Sequence, residues 1–181
     1  MTRRGLAGFS LIEVLVALLV ICVGVLGMLA MQGRAIAYSQ DMAVRGTAAA
    51  LADELMETIR TDLYSTQDAG MPLTPPASSD YYKATGRAFP AAPSSCASLA
   101  SLSASQRLGC WAQRVQQALP DAASLMSSDF HICRSNGAST CSGTGSAIEI
   151  QLAWRVKSGE CLEASPGSDP TICHYVLREE P

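Results

Sequence analysis

From Phe9 to about Met31 the chain is a run of apolar and small residues that carries one charge, Glu13. A run of about 20 apolar residues is long enough to cross a bilayer as a helix. A carboxylate within it costs about 3 kcal/mol on insertion scales and asks for a partner. Arg3 and Arg4 lie just before the run. Basic residues on that flank predict a cytoplasmic N-terminus, with the remainder across the membrane. A secretory signal has a shorter apolar core that ends in small residues before the cut. Here the run is too long, its far end (Met28-Leu29-Ala30-Met31-Gln32) is a poor cleavage site, and Glu13 sits where a signal is apolar. A plain signal anchor explains the length, but not Glu13 or the Gly8-Phe9 pair ahead of it.

With 181 residues, the chain has room for one membrane segment and one modest domain. A formal charge of −3 and the lack of a basic stripe after the leader give no case for nucleic acid. Of seven cysteines, Cys22 falls inside the apolar run, where a thiol behaves as a small hydrophobe. The other six (Cys96, Cys110, Cys133, Cys141, Cys161, Cys173) lie in the C-terminal half. An even count in a small translocated domain predicts disulfides. No metal is expected, because there is no C-x-x-C pair and the only histidines are His131 and His174.

No proline interrupts Phe9 to Asp62, so one long helix is predicted. Gly24, Gly27, Gly33 and Gly46 each weaken it by about 1 kcal/mol without ending it. Beyond Gln32 it becomes amphipathic: Val44, Ala48, Leu51, Leu55, Ile59 and Leu63 recur at spacings of three and four. Arg45, Asp53, Glu57 and Arg60 fall largely off that stripe, and Glu57 and Arg60 are spaced to pair along one face. At about 1.5 Å per residue such a helix runs about 80 Å. Its second half is expected to pack on a head domain, with a coiled coil as the structural alternative.

The head begins with a Pro-, Ser-, Ala- and Gly-rich loop from Gly70 to Pro93, whose Tyr81-Tyr82 pair reads as packing. Leu108, Trp111, Val115 and Leu119 mark a helix over Ser105 to Leu119, ended by Pro120. Alternation predicts strands at Asp129–Arg134, Ser146–Val156 and Thr171–Arg178, the first two as an antiparallel hairpin. Six cysteines admit 15 connectivities. Cys133 and Cys141 flank the first turn, and Cys161 and Cys173 flank the Pro166–Pro170 loop. That leaves Cys96 with Cys110, and this nearest-neighbour set is the expected one.

No nucleophile elbow, P-loop or H-E-x-x-H motif occurs, so no catalytic residue, cofactor or enzymatic activity is expected. His131 and His174 lie in strand patterns as structural or surface residues, Asp121 and Asp129 form no recognisable acid pair, and Glu179 and Glu180 read as a solvated end.

Gly8-Phe9-Ser10-Leu11-Ile12-Glu13-Val14 resembles the prepilin peptidase site of type IV pilins and type II secretion pseudopilins. The resemblance implies cleavage of the Gly8–Phe9 bond on the cytoplasmic side, N-methylation of Phe9, and Glu13 as an assembly residue. The chemistry agrees: cleavage leaves a cationic amine at the positive end of a helix dipole, and Glu13 lies one turn away, able to neutralise it or a neighbouring subunit's amine. The stretch Glu13 to Gly27, the Asp53–Arg60 segment, Trp111, Ala118-Leu119-Pro120 and Trp154 resemble PilV-type minor pilins in particular.

This implies an α+β, pilin-like fold: a long N-terminal helix packed against a small antiparallel sheet in a disulfide-bonded head. The implied divisions are a cleaved leader at 1–8, a membrane-spanning half-helix at 9–32, an amphipathic half at 33–63 and a head at 64–181. The implied function is structural, as a minor pilin that primes pilus assembly, at the tip, with a contribution to adhesion or motility. The implied partners are other minor and major pilins, prepilin peptidase, the inner-membrane assembly machinery and membrane lipid. The implied location is the bacterial inner membrane, head in the periplasm, and then the pilus. A minor pseudopilin of type II secretion, or an adhesin module on a pilin stem, is the alternative.

Overall fold

The computed structural model describes residues 10–66, 76–136, 141–161 and 169–181. Helix α1 runs Leu11–Thr66 without a break, as the absence of proline requires. The chain divides into two compact units at Ser39 and Gln40, so α1 contributes to both. In the first unit α1 is long and apolar enough to cross a membrane, and none of its apolar window is buried.

The second unit, Gln40–Pro181, is built on the rest of α1. The predicted stripe is the buried face: Ala48, Leu55, Ile59 and Leu63 are buried and Val44 and Leu51 partly so, with Ala52 and Met56 widening it. Glu57 and Arg60 pair at 3.1 Å off the stripe, one turn apart. Arg45, off the stripe, is half-buried with its guanidinium over the Trp154 ring at 5.8 Å. Helix periodicity assigns that residue to the flank, and the bulky tryptophan from the sheet reaches it there.

Helix α2 (Ala104–Ala118) opens on a capping box. Ser103 Oγ accepts from the Gln106 backbone N–H and the Gln106 side chain accepts from the Ser103 N–H, at 3.3 and 3.0 Å. Leu119 caps its end just before Pro120, and a single turn, α3 (Ala122–Leu125), follows. Trp111 donates its indole N–H to the Leu51 carbonyl at 2.8 Å, docking α2 onto α1. Gly109 makes close contact possible on the other side, since a Cβ there would lie 2.8 Å from the Ala91 carbonyl oxygen.

The three strands form one antiparallel sheet in the order β1 (His131–Ser135), β2 (Ala147–Arg155), β3 (Ile172–Glu179). The alternation of β2 sets its inner face: Ile148, Ile150, Leu152 and Trp154 are fully buried. Register places Leu177, Tyr175 and Cys173 of β3 opposite Ile150, Leu152 and Trp154, so these three share the inner face. The predicted first strand starts two residues late, at His131, yet Phe130 and Ile132 are both buried. The proline-rich loop is described from residue 76 and touches the outer edge of β1 through one isolated bridge, Lys83 to Ile132. Most of the Pro166–Pro170 loop, and Gly137 of the first turn, lie outside the described residues.

Cys96–Cys110, Cys133–Cys141 and Cys161–Cys173 are paired, with Cα atoms 5.8, 5.6 and 5.6 Å apart. Cys96–Cys110 ties the irregular segment to α2. Replacing both Cys96 and Cys110 by serine is expected to cost about 2–4 kcal/mol. Urea unfolding of the full chain in detergent measures this, and an unchanged midpoint would count against a stabilising role.

Candidate processing and assembly site

Gly8 and Phe9, the expected cleavage and methylation residues, lie outside the described residues. The described residues begin at Ser10, immediately before α1. The backbone N–H groups of Glu13 and Val14 point at the Ser10 carbonyl, at 3.0 and 3.4 Å, closing the first turn. Glu13 is the acidic residue of that turn, where an anion is favoured by the helix dipole. It is exposed and surrounded by exposed apolar neighbours: Leu11, Ile12, Val14, Leu15 and Val16 are 48–80% accessible. An acid with good access and an apolar setting can pair with a cation brought to it, and a low-dielectric setting strengthens that attraction. Cys22 lies exposed further along the same helix.

The remaining charge chemistry is in the head. Glu149, on the outer face of β2, is 1% exposed. Its Oε2 accepts from Arg178 at 2.9 and 2.6 Å, and its Oε1 meets His131 Nε2 at 2.9 Å. Burial pushes the Glu149 carboxyl up, but the hydrogen bonds from Arg178 and His131 outweigh it and hold the group below the usual carboxylate range. His174 lies 3.3 Å from Asp129, so both histidines take carboxylate neighbours.

Asp41, 2% exposed, accepts from Trp154 Nε1 at 3.0 Å. Asp62 accepts from Arg107 at 2.5 Å and from the Tyr81 hydroxyl, and Arg107 Nε donates to Tyr81 at 3.0 Å. Tyr81 is thus buried packing, as its sequence suggests, and also part of an ion-pair triad. Burial and the Asp62 carboxylate push its hydroxyl pKa well above the ordinary value. The sequence signal for these groups is faint: each is a charged residue beside an apolar stripe, and its partner lies many residues away.

Residues 3–29 match the family model described as the prokaryotic N-terminal methylation motif. No curated protein and no solved structure matches the chain. The matched segment contains Gly8, Phe9, Ser10 and Glu13 together with most of the apolar run.

Proposed function

We propose that this chain, a type IV pilin-like protein by its N-terminal methylation motif, is a PilV-type minor pilin that helps to prime pilus assembly. Prepilin peptidase cuts after Gly8, and Phe9 becomes the methylated N-terminus of the mature subunit. The membrane-anchored helix holds the subunit in the inner membrane with its head in the periplasm until it enters the pilus, at the tip. Its partners there are the other minor pilins, the major pilin and the assembly machinery, and the head contributes to adhesion or motility.

One observation carries this reading: Glu13 is the only charge from Leu11 to Gly33, and it stands exposed in the first turn of a helix suited to a membrane. An acid in that setting is costly unless it meets a cation, and the new amine of Phe9, on the same or a neighbouring subunit, supplies one. Substitution by alanine leaves Gly8–Phe9 intact as a peptidase substrate, because Glu13 is four residues beyond the bond in sequence.

Glu13→Ala is therefore expected to be processed normally and to be incorporated into pili at least about tenfold less than the native chain, the ratio equivalent to about 1.4 kcal/mol of a lost ion pair. Gel mobility reports the loss of the leader, and immunoblots of sheared pili report incorporation. Undiminished incorporation would remove the assembly role from Glu13. Deletion distinguishes the systems: lost twitching with secretion intact fits a pilus subunit. Lost exoprotein secretion with twitching intact assigns the chain to type II secretion.

A further inference from the structure

Among the described residues, one group of side chains has the donor chemistry of a metal site: His131, Cys133, Cys141 and Glu149. Their ligand atoms all lie within 4.8 Å of one another. The sheet puts them there. His131 and Cys133 are two apart on β1 and share a face, and register sets Glu149 of β2 directly opposite Cys133. Cys141 reaches the same point across the β1–β2 connection, where it is bonded to Cys133. The two oxygens of Glu149 face different groups, Oε1 the imidazole and Oε2 the guanidinium of Arg178.

We propose that, when Cys133 and Cys141 are thiols, these four residues form a Zn²⁺ site, and that the disulfide and the metal are alternative closures of the same connection. Thiolate sulfur, imidazole nitrogen and carboxylate oxygen are each zinc ligands, and four of them together complete the tetrahedral coordination that structural zinc takes. Bond lengths of about 2.0–2.3 Å place tetrahedral donors roughly 3.3–3.8 Å apart. To reach that spacing the two sulfurs, bonded to each other at present, move apart, the 2.9 Å His131–Glu149 pair opens slightly, and the widest separations, at most 4.8 Å, close by about 1 Å. Zinc takes the place of the direct His131–Glu149 contact, bound by His131 Nε2 and Glu149 Oε1. Arg178 keeps its hold on Oε2 and orients the carboxylate, as supporting residues around metal ligands do.

The newly made chain carries both thiols, so the first binding needs no reductant. Each thiol gives up its proton to solvent as its sulfur bonds the metal. In the oxidised protein a phosphine can reopen the site. It reduces the S–S bond with two electrons, water supplies the two thiol protons, and the phosphine leaves as its oxide.

The test uses the full chain in detergent with Cys96, Cys110, Cys161 and Cys173 replaced by serine, leaving Cys22 and the Cys133/Cys141 pair. Reduced by phosphine, this protein is expected to bind one Zn²⁺ in competition with a chromophoric chelator. With Co²⁺ it is expected to show the d–d bands of a tetrahedral, thiolate-ligated ion. The oxidised form should bind at least about tenfold more weakly, and reduced His131→Gln, which removes a ligand itself, should lose at least the roughly tenfold that removing a mere supporting residue costs. Circular dichroism of each variant confirms that the head is folded.

The same protein with Cys133→Ser and Cys141→Ser added gives the background. Zinc binding no stronger than this background would overturn the site. Equal affinity in reduced His131→Gln would also overturn it, leaving simple dithiol chelation.

Discussion

Gly145→Ala is expected to destabilise the head by about 3–5 kcal/mol, because two independent costs meet at one residue. Gly145 has φ +105°, a conformation that side-chain-bearing residues rarely adopt. A Cβ on it would lie 2.2 Å from the Ser135 carbonyl oxygen and 2.7 Å from Asn136 Cα, and neither atom belongs to a side chain that could turn aside. Its own carbonyl accepts from Arg134 Nε and Nη2 at 3.0 and 2.6 Å, so a local shift breaks those bonds too. Gly143, two residues earlier, provides the control. It has φ +70°, but a Cβ there would meet nothing within 4 Å, so Gly143→Ala should cost only about 1 kcal/mol of backbone strain. Urea unfolding of both variants in the full chain separates clash from strain. Similar midpoints for the two would show that the β1–β2 connection is not packed against Ser135.

Lys83→Met has the second large expected effect, a loss of about 2–4 kcal/mol, because it leaves buried carbonyls without their donor. Lys83 is 3% exposed, and its ammonium donates to the carbonyls of Met126, Phe130 and Ser127 at 2.6, 2.7 and 3.0 Å. The Phe89 ring lies 5.2 Å away. One side chain thus fastens the irregular segment to the turn between α3 and β1.

Burial lowers the Lys83 pKa to about 8, with the Asp129 carboxylate offsetting part of the effect. The sign follows from proton counts. Between pH 8 and the ordinary value of 10.5 the unfolded chain keeps a proton that the folded chain has released, so Lys83 makes stability rise with pH in that window. Below pH 8 both states are protonated and the contribution is flat. The stability difference between native protein and Lys83→Met should therefore widen from pH 8 to pH 10, where Tyr81, common to both proteins, cancels. A difference that narrows would contradict it.

Much of the fold is legible in one dimension because helices and strands have their own periods. The spacing from Val44 to Leu63 is the buried stripe of α1, and the alternation from Ile148 to Trp154 is the inner face of β2. Ser103 and Gln106 form a capping box one position from the predicted start of α2. Cysteines close in sequence pair with each other, since short connections bring their Cα atoms within reach. Charged residues break this legibility. Nothing around Glu149 in the chain announces that it is buried, because its burial depends on Arg178, 29 residues away, and on His131 across the sheet. Asp62 and Arg107 are 45 residues apart, and Trp154 and Asp41 are 113 apart. A buried charge is tolerated only with its partner in place, and partners at such separations are chosen by packing.

The sequence by itself determined the N-terminal device: a glycine–phenylalanine bond, a lone acid four residues on, and an apolar run to carry them. These are local, so their chemistry needs no tertiary context. Only the tertiary structure decided which head residues meet. Antiparallel register set Glu149 opposite Cys133, and packing buried Lys83 under the turn before β1. Local periodicity selects an element and its inner face, whereas long-range pairing selects what each polar group on the outer face can hold.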